Sequence, residues 1–240
     1  MNKSPSFAGN PRIQVVASFD ELLATPLAGS CNAVCWPRTL VGDFEEVVSV
    51  SATVCRPADG ITTLDEADLS AMHVSDAGAE AVAALVADLR QLREAGHRPV
   101  LDCVSGYARD DVDEIVATDV YSFHVDRATV AAETFLCSYT SPSSEGLCNE
   151  DAVRRVDVPE TRARLLRQFG GSEGEEFTAW LAEHCFDLHY APVAHGRPFD
   201  FGVGNLWRIA VDYPGCPVSP CIHRAPETPR GAPPRLMMIS

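Results

Sequence analysis

The sequence predicts an α+β protein whose core is mainly β. Strand-like segments lie on both sides of a helical stretch, without the regular alternation of strands and helices that indicates a parallel α/β sheet. Hydrophobic residues make up 46% of the 240-residue chain, which is typical of a packed interior. The length suits one large domain with room to bury a metal site.

The first part of the chain is predicted to be helical. Ser18 is a suitable N-cap for a helix start. Between residues 76 and 95 apolar side chains recur at helical spacing, and Gly96 follows as the stop signal. These signals predict a helical N-terminal portion, residues 1–97, packed on a core formed by residues 98–240 within one structural domain.

The remainder is predicted to be a β core with a helical insertion. Apolar, β-branched and aromatic runs bounded by turn residues predict strands over residues 99–104, 119–124, 134–140, 205–213, 218–223 and 235–239. Between the third and fourth of these strands, helical segments at 159–169 and 175–185 are separated by two glycines.

Charge and cysteine usage exclude several classes of protein. The net charge of −15 disfavours nucleic-acid binding through a general basic surface. Most of the surplus lies between residues 43 and 120, where 17 acidic side chains face 5 arginines. No apolar run is long enough for a membrane span. Nine scattered cysteines and no apolar leader behind Met1 predict a cytoplasmic protein with reduced thiols.

Three residues, His124, Asp126 and His223, have the types and spacing of a metal-binding group. His124 and Asp126 are two residues apart on a predicted strand, so their side chains point the same way. His223, on a much later strand, can add a third ligand once the sheets fold together. Two histidines and one carboxylate leave open positions on a metal, as in non-haem Fe(II) sites. The alternative is a surface His–Asp pair and a hydrogen-bonded core histidine.

An arginine that follows His223 in the sequence is a candidate for binding an anion near the metal. Arg235 opens the last apolar strand, where its guanidinium can bind a carboxylate through two hydrogen bonds. Arg230 competes for this role, but it precedes a Gly/Pro-rich segment that favours a loop.

Together, His124-x-Asp126, the distant His223 and Arg235 resemble the motif of the Fe(II)/2-oxoglutarate oxygenases. The resemblance implies a double-stranded β-helix (jelly roll, cupin-like) core. It also implies that His124, Asp126 and His223 are the iron ligands and form the catalytic centre. It implies Arg235 as the anchor for 2-oxoglutarate. The implied reaction is O2-dependent hydroxylation, desaturation or cyclisation of a small molecule, such as an amino acid or a natural-product intermediate.

Four blocks are also similar to a family of uncharacterised bacterial proteins with H-V-D-R and H-R-S-P-like motifs: residues 32–38, 124–127, 137–140 and 221–226. In this chain Ala225 stands where serine is usual. That similarity supports a metal site without supplying a reaction.

Four further residues are candidates for ligand contacts. Tyr139 can donate a hydrogen bond to the cosubstrate, and Arg208, Arg127 and Trp36 can contact the substrate. Each also has an ordinary structural interpretation, for Arg208 an ion pair with an acid such as Asp212. His184, His189 and His195 are interpreted as unrelated to the metal.

Other functions stay open at this level. One alternative is an Fe(II) oxygenase that does not use 2-oxoglutarate and whose substrate itself chelates the metal. Cys221 lies on the same strand face as His223, so a zinc hydrolase with a thiolate ligand is an alternative. A non-catalytic, cupin-like binding protein is another. The sequence identifies neither the substrate nor the oligomeric state.

Overall fold

Two β-sheets form the centre of the protein in the computed structural model, which describes residues 7, 9–54, 60–110, 113–229 and 231–240. Helices cover the outer face of the larger sheet, and two further helices pack in a small core of their own. The predicted α+β organisation with a mainly β core is therefore confirmed.

The larger sheet has seven strands. In spatial order they are β1 (Ile13–Val15), β2 (Ala33–Trp36), β11 (Leu206–Ala210), β6 (Glu133–Ser138), β13 (Arg235–Ile239), β4 (Val100–Val104) and β3 (Ile61–Leu64). Neighbouring strands are antiparallel except for β1 and β2, which are parallel. The central strands β6 and β11 are buried almost throughout.

The smaller sheet has six short strands, all antiparallel. Their order is β10 (Phe199–Asp200), β7 (Glu145–Leu147), β12 (Ile222–Arg224), β5 (Phe123–His124), β9 (His189–Pro192) and β8 (Ala152–Arg154). Strands β5 and β12, which carry the two predicted histidine ligands, are direct neighbours in its middle.

The two sheets pack against each other through apolar side chains. Leu136 and Trp207 of the larger sheet contact Phe199 and Cys221, which belong to or adjoin the smaller one. The rings of Trp207 and Phe201 stack with their centroids 4.4 Å apart. Removal of these side chains from water holds the sheets together and leaves room between them only where smaller or polar residues meet.

Four helices precede the core strands: α1 (Phe19–Ala24), α2 (Phe44–Val54), α3 (Glu66–Ser70) and α4 (Asp76–Glu94). Ser18 caps α1 as predicted, its hydroxyl accepting a hydrogen bond from the Glu21 amide at 3.2 Å. The buried face of α4, including Leu85 and Leu89, packs with Phe135 on the outer face of the larger sheet. Within the described ranges no helix is both long and apolar enough to cross a lipid bilayer.

The N-terminal portion is not purely helical, which corrects the prediction for residues 1–97. It also contributes β1, β2 and β3 to the larger sheet. Ala33, Val34 and Cys35 of β2 are completely buried. As a strand paired with β11, this short apolar run packs Val34 against the helical layer on one face and Ala33 and Cys35 into the inter-sheet core on the other.

The predicted helical insertion is confirmed as α5 (Pro159–Phe169) and α6 (Glu175–Glu183). Gly170 ends α5 in a left-handed conformation, with φ of 76°. Leu165 and Phe177 pack with Val116 in a small core of their own.

Three predicted strands are shorter than expected, and the one predicted over 205–213 spans only Leu206–Ala210. Residues 119–122 form a turn before β5, because the Asp119 carboxylate accepts hydrogen bonds from the amides of Tyr121 and Ser122 at 3.0 and 3.2 Å. The strand predicted over 218–223 begins only at Ile222.

Candidate metal centre

Three potential metal ligands meet between the sheets. His124 ends β5 and lies directly across from His223 on β12, with ring centroids 4.6 Å apart. The Oδ1 atom of Asp126 is 3.7 Å from Nε2 of His223. One ligand atom from each residue lies within 4.8 Å of the others, as a shared ion requires. The described residues thus bring together the three ligands predicted from the sequence.

Asp126 lies just beyond β5, yet its backbone remains extended. The Val125 amide donates to Leu188 O at 3.1 Å, and Asp126 O accepts from the Asp212 amide at 2.8 Å. The Thr134 hydroxyl, on β6 of the opposite sheet, donates to Oδ2 at 2.6 Å. One carboxylate oxygen is therefore held by the protein, and the other faces His223.

Both imidazole rings are oriented for metal binding. Nδ1 of His124 lies 2.8 Å from Ser122 O, and Nδ1 of His223 lies 3.3 Å from Cys221 O. A carbonyl oxygen only accepts, so the hydrogen-bond pattern assigns the hydrogen of each neutral ring to Nδ1. Nε2 then keeps its lone pair, which is the arrangement that backbone carbonyls impose on histidine ligands.

The charge states also suit a cation. Burial lowers the pKa of His124 to about 4, with a further lowering from the neighbouring His223. Burial acts to raise the pKa of Asp126, but the attraction of His223 and the Thr134 hydrogen bond outweigh it, and the pKa is lowered. At neutral pH the group therefore offers a neutral imidazole and a charged carboxylate, as metal binding requires.

A cavity of about 150 Å³ adjoins the three residues and is lined by side chains from both sheets. Its apolar walls include Leu136, Met237 and Ile239. Its polar lining, beyond the three ligands, includes Tyr107, Ser144 and Arg235.

Arg235 lies in this cavity, as predicted for an anion anchor. Only 2% of its surface is exposed. The guanidinium donates to Pro142 O at 3.3 Å and approaches Met237 Sδ at 3.5 Å, and it forms no ion pair with any acidic side chain that the structure describes. Burial lowers its pKa, partly offset by Tyr107. Arg230, the competing candidate, lies outside the described residues.

Tyr139 is not at the cavity, which corrects its prediction as a cosubstrate contact. Its side chain points to the opposite face of the sheet, where it is 2% exposed. The hydroxyl donates to Asp88 Oδ2 at 2.7 Å, and Arg38 binds the same carboxylate at 2.6 and 2.8 Å. Tyr139 belongs to a buried network that joins α4 to the sheet.

Arg208 does not line the cavity and has structural partners. Its guanidinium donates to Leu23 O at 2.6 Å and to Thr25 O, and it lies 3.4 Å from Glu133 Oε2. It fixes the end of α1 to β11. The prediction of a substrate contact is corrected. The structural interpretation, an ion pair with an acidic side chain, is confirmed with Glu133 as the partner in place of Asp212.

Arg127 and Trp36, the other two predicted substrate contacts, also lie away from the cavity. Arg127 forms surface ion pairs with Asp187 at 2.6 Å and Asp212 at 3.0 Å. Trp36 packs beside Phe19, with the Arg38 guanidinium 4.9 Å from its ring centroid.

His189 is not part of the ligand group, as predicted, but sequence reasoning missed its contact with His124. In the fold it pairs directly with His124 across β5 and β9, with ring centroids 5.7 Å apart. It is 4% exposed, and its Nδ1 has no hydrogen-bond partner among the described residues. Burial and the nearby Arg155 lower its pKa to about 4. No local pattern signals this contact, because it depends on the register of two strands far apart in the chain.

Cys221 is not part of the ligand group. It is buried among apolar side chains of the inter-sheet core, and burial, followed by the nearby Asp126, raises the pKa of its thiol. The predicted alternative of a zinc thiolate therefore gains no support from its surroundings.

Comparison with known proteins gives no relative: no family model, no curated protein and no solved structure matches this chain.

Proposed function

We propose that the protein is a non-haem Fe(II) oxygenase that uses 2-oxoglutarate to oxidise a small molecule. The observation that carries the proposal is the buried guanidinium of Arg235. It shares one cavity with His124, Asp126 and His223, and it lacks an acidic partner among the described residues.

The ligand set favours iron. Two neutral imidazoles and one carboxylate on one side of a site leave open positions for a cosubstrate and O2, as in the facial triad of non-haem iron enzymes. The hydrogen bonds at the far ring nitrogens and from Thr134 hold the ligands in place before metal arrives.

Arg235 favours a dicarboxylic keto acid. A buried charge without a counter-charge is costly, so its position makes sense if a ligand completes the pair. A guanidinium binds a carboxylate through two hydrogen bonds. A 2-oxo acid that chelates the metal at one end needs a second carboxylate at the other end to reach Arg235. 2-Oxoglutarate carries a 2-oxo acid group at one end and a carboxylate at the other.

The strand order supports a jelly-roll core. Eight strands remain when β1–β3 are left out together with β8 and β9, the two strands at one edge of the smaller sheet that flank the helical insertion. In chain order they can be numbered one to eight, namely β4, β5, β6, β7, β10, β11, β12 and β13. The larger sheet then contains the order 6-3-8-1 and the smaller sheet 5-4-7-2. This order is the one expected for a double-sheet jelly roll built from two Greek keys, and it supports that part of the proposal.

Each group has a distinct part in the proposed reaction. Iron and the keto acid, when bound, would supply activation of O2 and removal of a substrate hydrogen. His124, Asp126 and His223 would hold the metal, and Arg235 would bind the far carboxylate of the keto acid. Leu136, Met237 and Ile239 line the cavity and restrict water around the reacting groups.

The small cavity favours one second candidate. Its 150 Å³ is below the roughly 300 Å³ at which pockets for drug-sized ligands begin. A single small acid fills it, and that acid can itself be the substrate, chelating the metal without 2-oxoglutarate.

Anaerobic calorimetric titration with Fe(II), followed by 2-oxoglutarate, tests the proposal. We expect stoichiometric Fe(II) binding, 2-oxoglutarate binding that depends on Fe(II), and O2 uptake with CO2 release when air is admitted. His124→Ala and His223→Ala should lose Fe(II) binding, while the exposed His195→Ala should not. Unchanged Fe(II) affinity in the two cavity variants refutes the proposal. Fe(II) binding without 2-oxoglutarate binding favours the second candidate.

A further inference from the structure

Tyr107 faces the same end of the cavity as Arg235. It lies shortly after β4 and lines the cavity wall. Its hydroxyl lies 3.1 Å from Met237 Sδ, and the Arg235 guanidinium approaches the same sulfur atom at 3.5 Å. A thioether sulfur is a weak acceptor, so this hydroxyl retains most of its capacity to donate to a ligand.

The hydroxyl is in the form that donates. Burial raises the pKa of Tyr107 even though the nearby Arg235 acts to lower it. The phenol therefore stays protonated at neutral pH, with its hydrogen available to an anion beside the guanidinium.

The position of Tyr107 is fixed by its neighbours. Its amide donates to the Tyr121 hydroxyl at 3.1 Å, and the two rings meet edge to face at 5.9 Å. The Arg109 guanidinium lies 3.8 Å from the Tyr121 ring centroid and forms an ion pair with Glu227 at 2.7 Å. A donor held in this way loses little freedom when a ligand binds.

We propose that Tyr107 and Arg235 together bind the far carboxylate of the acid, and that Tyr107 makes the site selective for 2-oxo acids with a second carboxylate. On binding, the hydroxyl turns from the thioether of Met237 to a carboxylate oxygen. The inference rests on the proposed function and adds a specificity-determining residue that the sequence motif does not include.

The selectivity follows from two buried donors. An analogue that ends in a methyl group, such as 2-oxobutanoate, leaves the hydroxyl with only the weak thioether acceptor of Met237 and the guanidinium without a carboxylate. Sites built for hydrogen bonding reject such analogues far more strongly than apolar pockets reject a missing methylene. Loss of one donor should therefore weaken 2-oxoglutarate binding and narrow the preference over 2-oxobutanoate.

The test is anaerobic calorimetric titration of the Fe(II)-loaded full-length protein with 2-oxoglutarate and with 2-oxobutanoate. We expect Tyr107→Phe to weaken 2-oxoglutarate binding about tenfold or more and to leave 2-oxobutanoate and Fe(II) affinity unchanged. Tyr213→Phe is the matched control, because Tyr213 is partly buried and lies outside this cavity lining. It should leave all three affinities unchanged.

The outcomes separate the two proposals. If the wild-type protein binds 2-oxoglutarate and Tyr107→Phe binds it equally well, the inference is wrong and the proposed function stands. If Tyr107→Phe weakens both keto acids and Fe(II) together, its role is structural and the inference is again wrong. If wild-type protein loaded with Fe(II) binds no 2-oxoglutarate, the proposed cosubstrate and the inference both fall.

Discussion

Thr134 Oγ1 donates a 2.6 Å hydrogen bond to Asp126 Oδ2, and this bond crosses from one β-sheet to the other. It ties a candidate metal ligand at the end of β5 to β6 of the facing sheet. The remaining oxygen of Asp126 is then directed to His223. Assembly of the two sheets and geometry of the metal centre are coupled through this one contact.

Thr134→Val should weaken metal binding. Loss of an outer hydrogen bond to a ligand typically lowers metal affinity by about 10- to 100-fold. Fe(II) titration under anaerobic conditions measures the change. Thr63→Val is the matched control, because the Thr63 hydroxyl makes a 2.6 Å bond to Asp102 on the far edge of the larger sheet. Equal Fe(II) affinities in wild type and Thr134→Val would contradict the positioning role.

Replacement of Arg235 by Met should abolish 2-oxoglutarate binding without lowering the stability of the metal-free protein. A buried guanidinium without a counter-charge costs free energy, so its removal is expected to be neutral or to stabilise by about 1–3 kcal/mol. Urea denaturation measures this. Arg208→Met serves for comparison and should destabilise, because Arg208 bonds two carbonyls and Glu133. A large loss of stability in Arg235→Met would instead indicate a structural arginine.

Tyr139→Phe should reduce stability and leave ligand binding intact. The hydroxyl donates to a buried carboxylate that Arg38 also binds, and hydrogen bonds to charged groups contribute about 1.5–3 kcal/mol. Urea denaturation gives the loss, and anaerobic titration with Fe(II) and 2-oxoglutarate checks the affinities. Weaker 2-oxoglutarate binding at unchanged stability would restore the interpretation of Tyr139 as a cosubstrate contact.

The metal-free protein should lose stability as the pH falls from about 6.5 to about 4. Burial lowers the pKa of His189 from 6.5 to about 4, so the unfolded chain binds a proton in this range before the folded protein does. Protonation therefore favours unfolding as the pH decreases through the window, and the effect ends below pH 4, where both states are protonated. His189 alone accounts for about 2–3 kcal/mol between pH 7 and 4.5.

Urea denaturation of His189→Gln at both pH values checks this prediction. The variant should lose about 2–3 kcal/mol less than wild type on acidification. His195→Gln, at an exposed histidine, should follow the wild-type curve. Parallel pH profiles for wild type and His189→Gln would show that burial of His189 does not govern acid stability.

Metal itself should stabilise the fold. A ligand that binds only the folded state adds about 2.7 kcal/mol at a hundredfold excess over its Kd. Anaerobic thermal denaturation with and without Fe(II) measures this. The rise should disappear in His223→Ala and persist in His184→Ala, whose histidine ends α6 on the surface. A similar rise in His223→Ala would place the bound metal elsewhere.

The sequence by itself determined the features that depend on near neighbours in the chain. Helical spacing and a stop glycine located α4, and a proline start and paired glycines located the insertion helices. The H-x-D pair could be recognised because two residues of extended chain place their side chains on one side. Arg235 could be recognised because a charged residue opens an otherwise apolar strand.

Only the tertiary structure decided which side of each central strand faces the cavity. Strands β6 and β11 are buried on both faces, so they carry no alternation of polar and apolar residues to indicate orientation. The sequence therefore allowed both a ligand contact and a structural role for Tyr139 and Arg208, and only the fold shows that neither lines the cavity. The contacts of His189 with His124 and of Tyr107 with Arg235 join segments far apart in the chain. Their positions follow from strand register and sheet packing, which are set by the whole core and not by any local pattern.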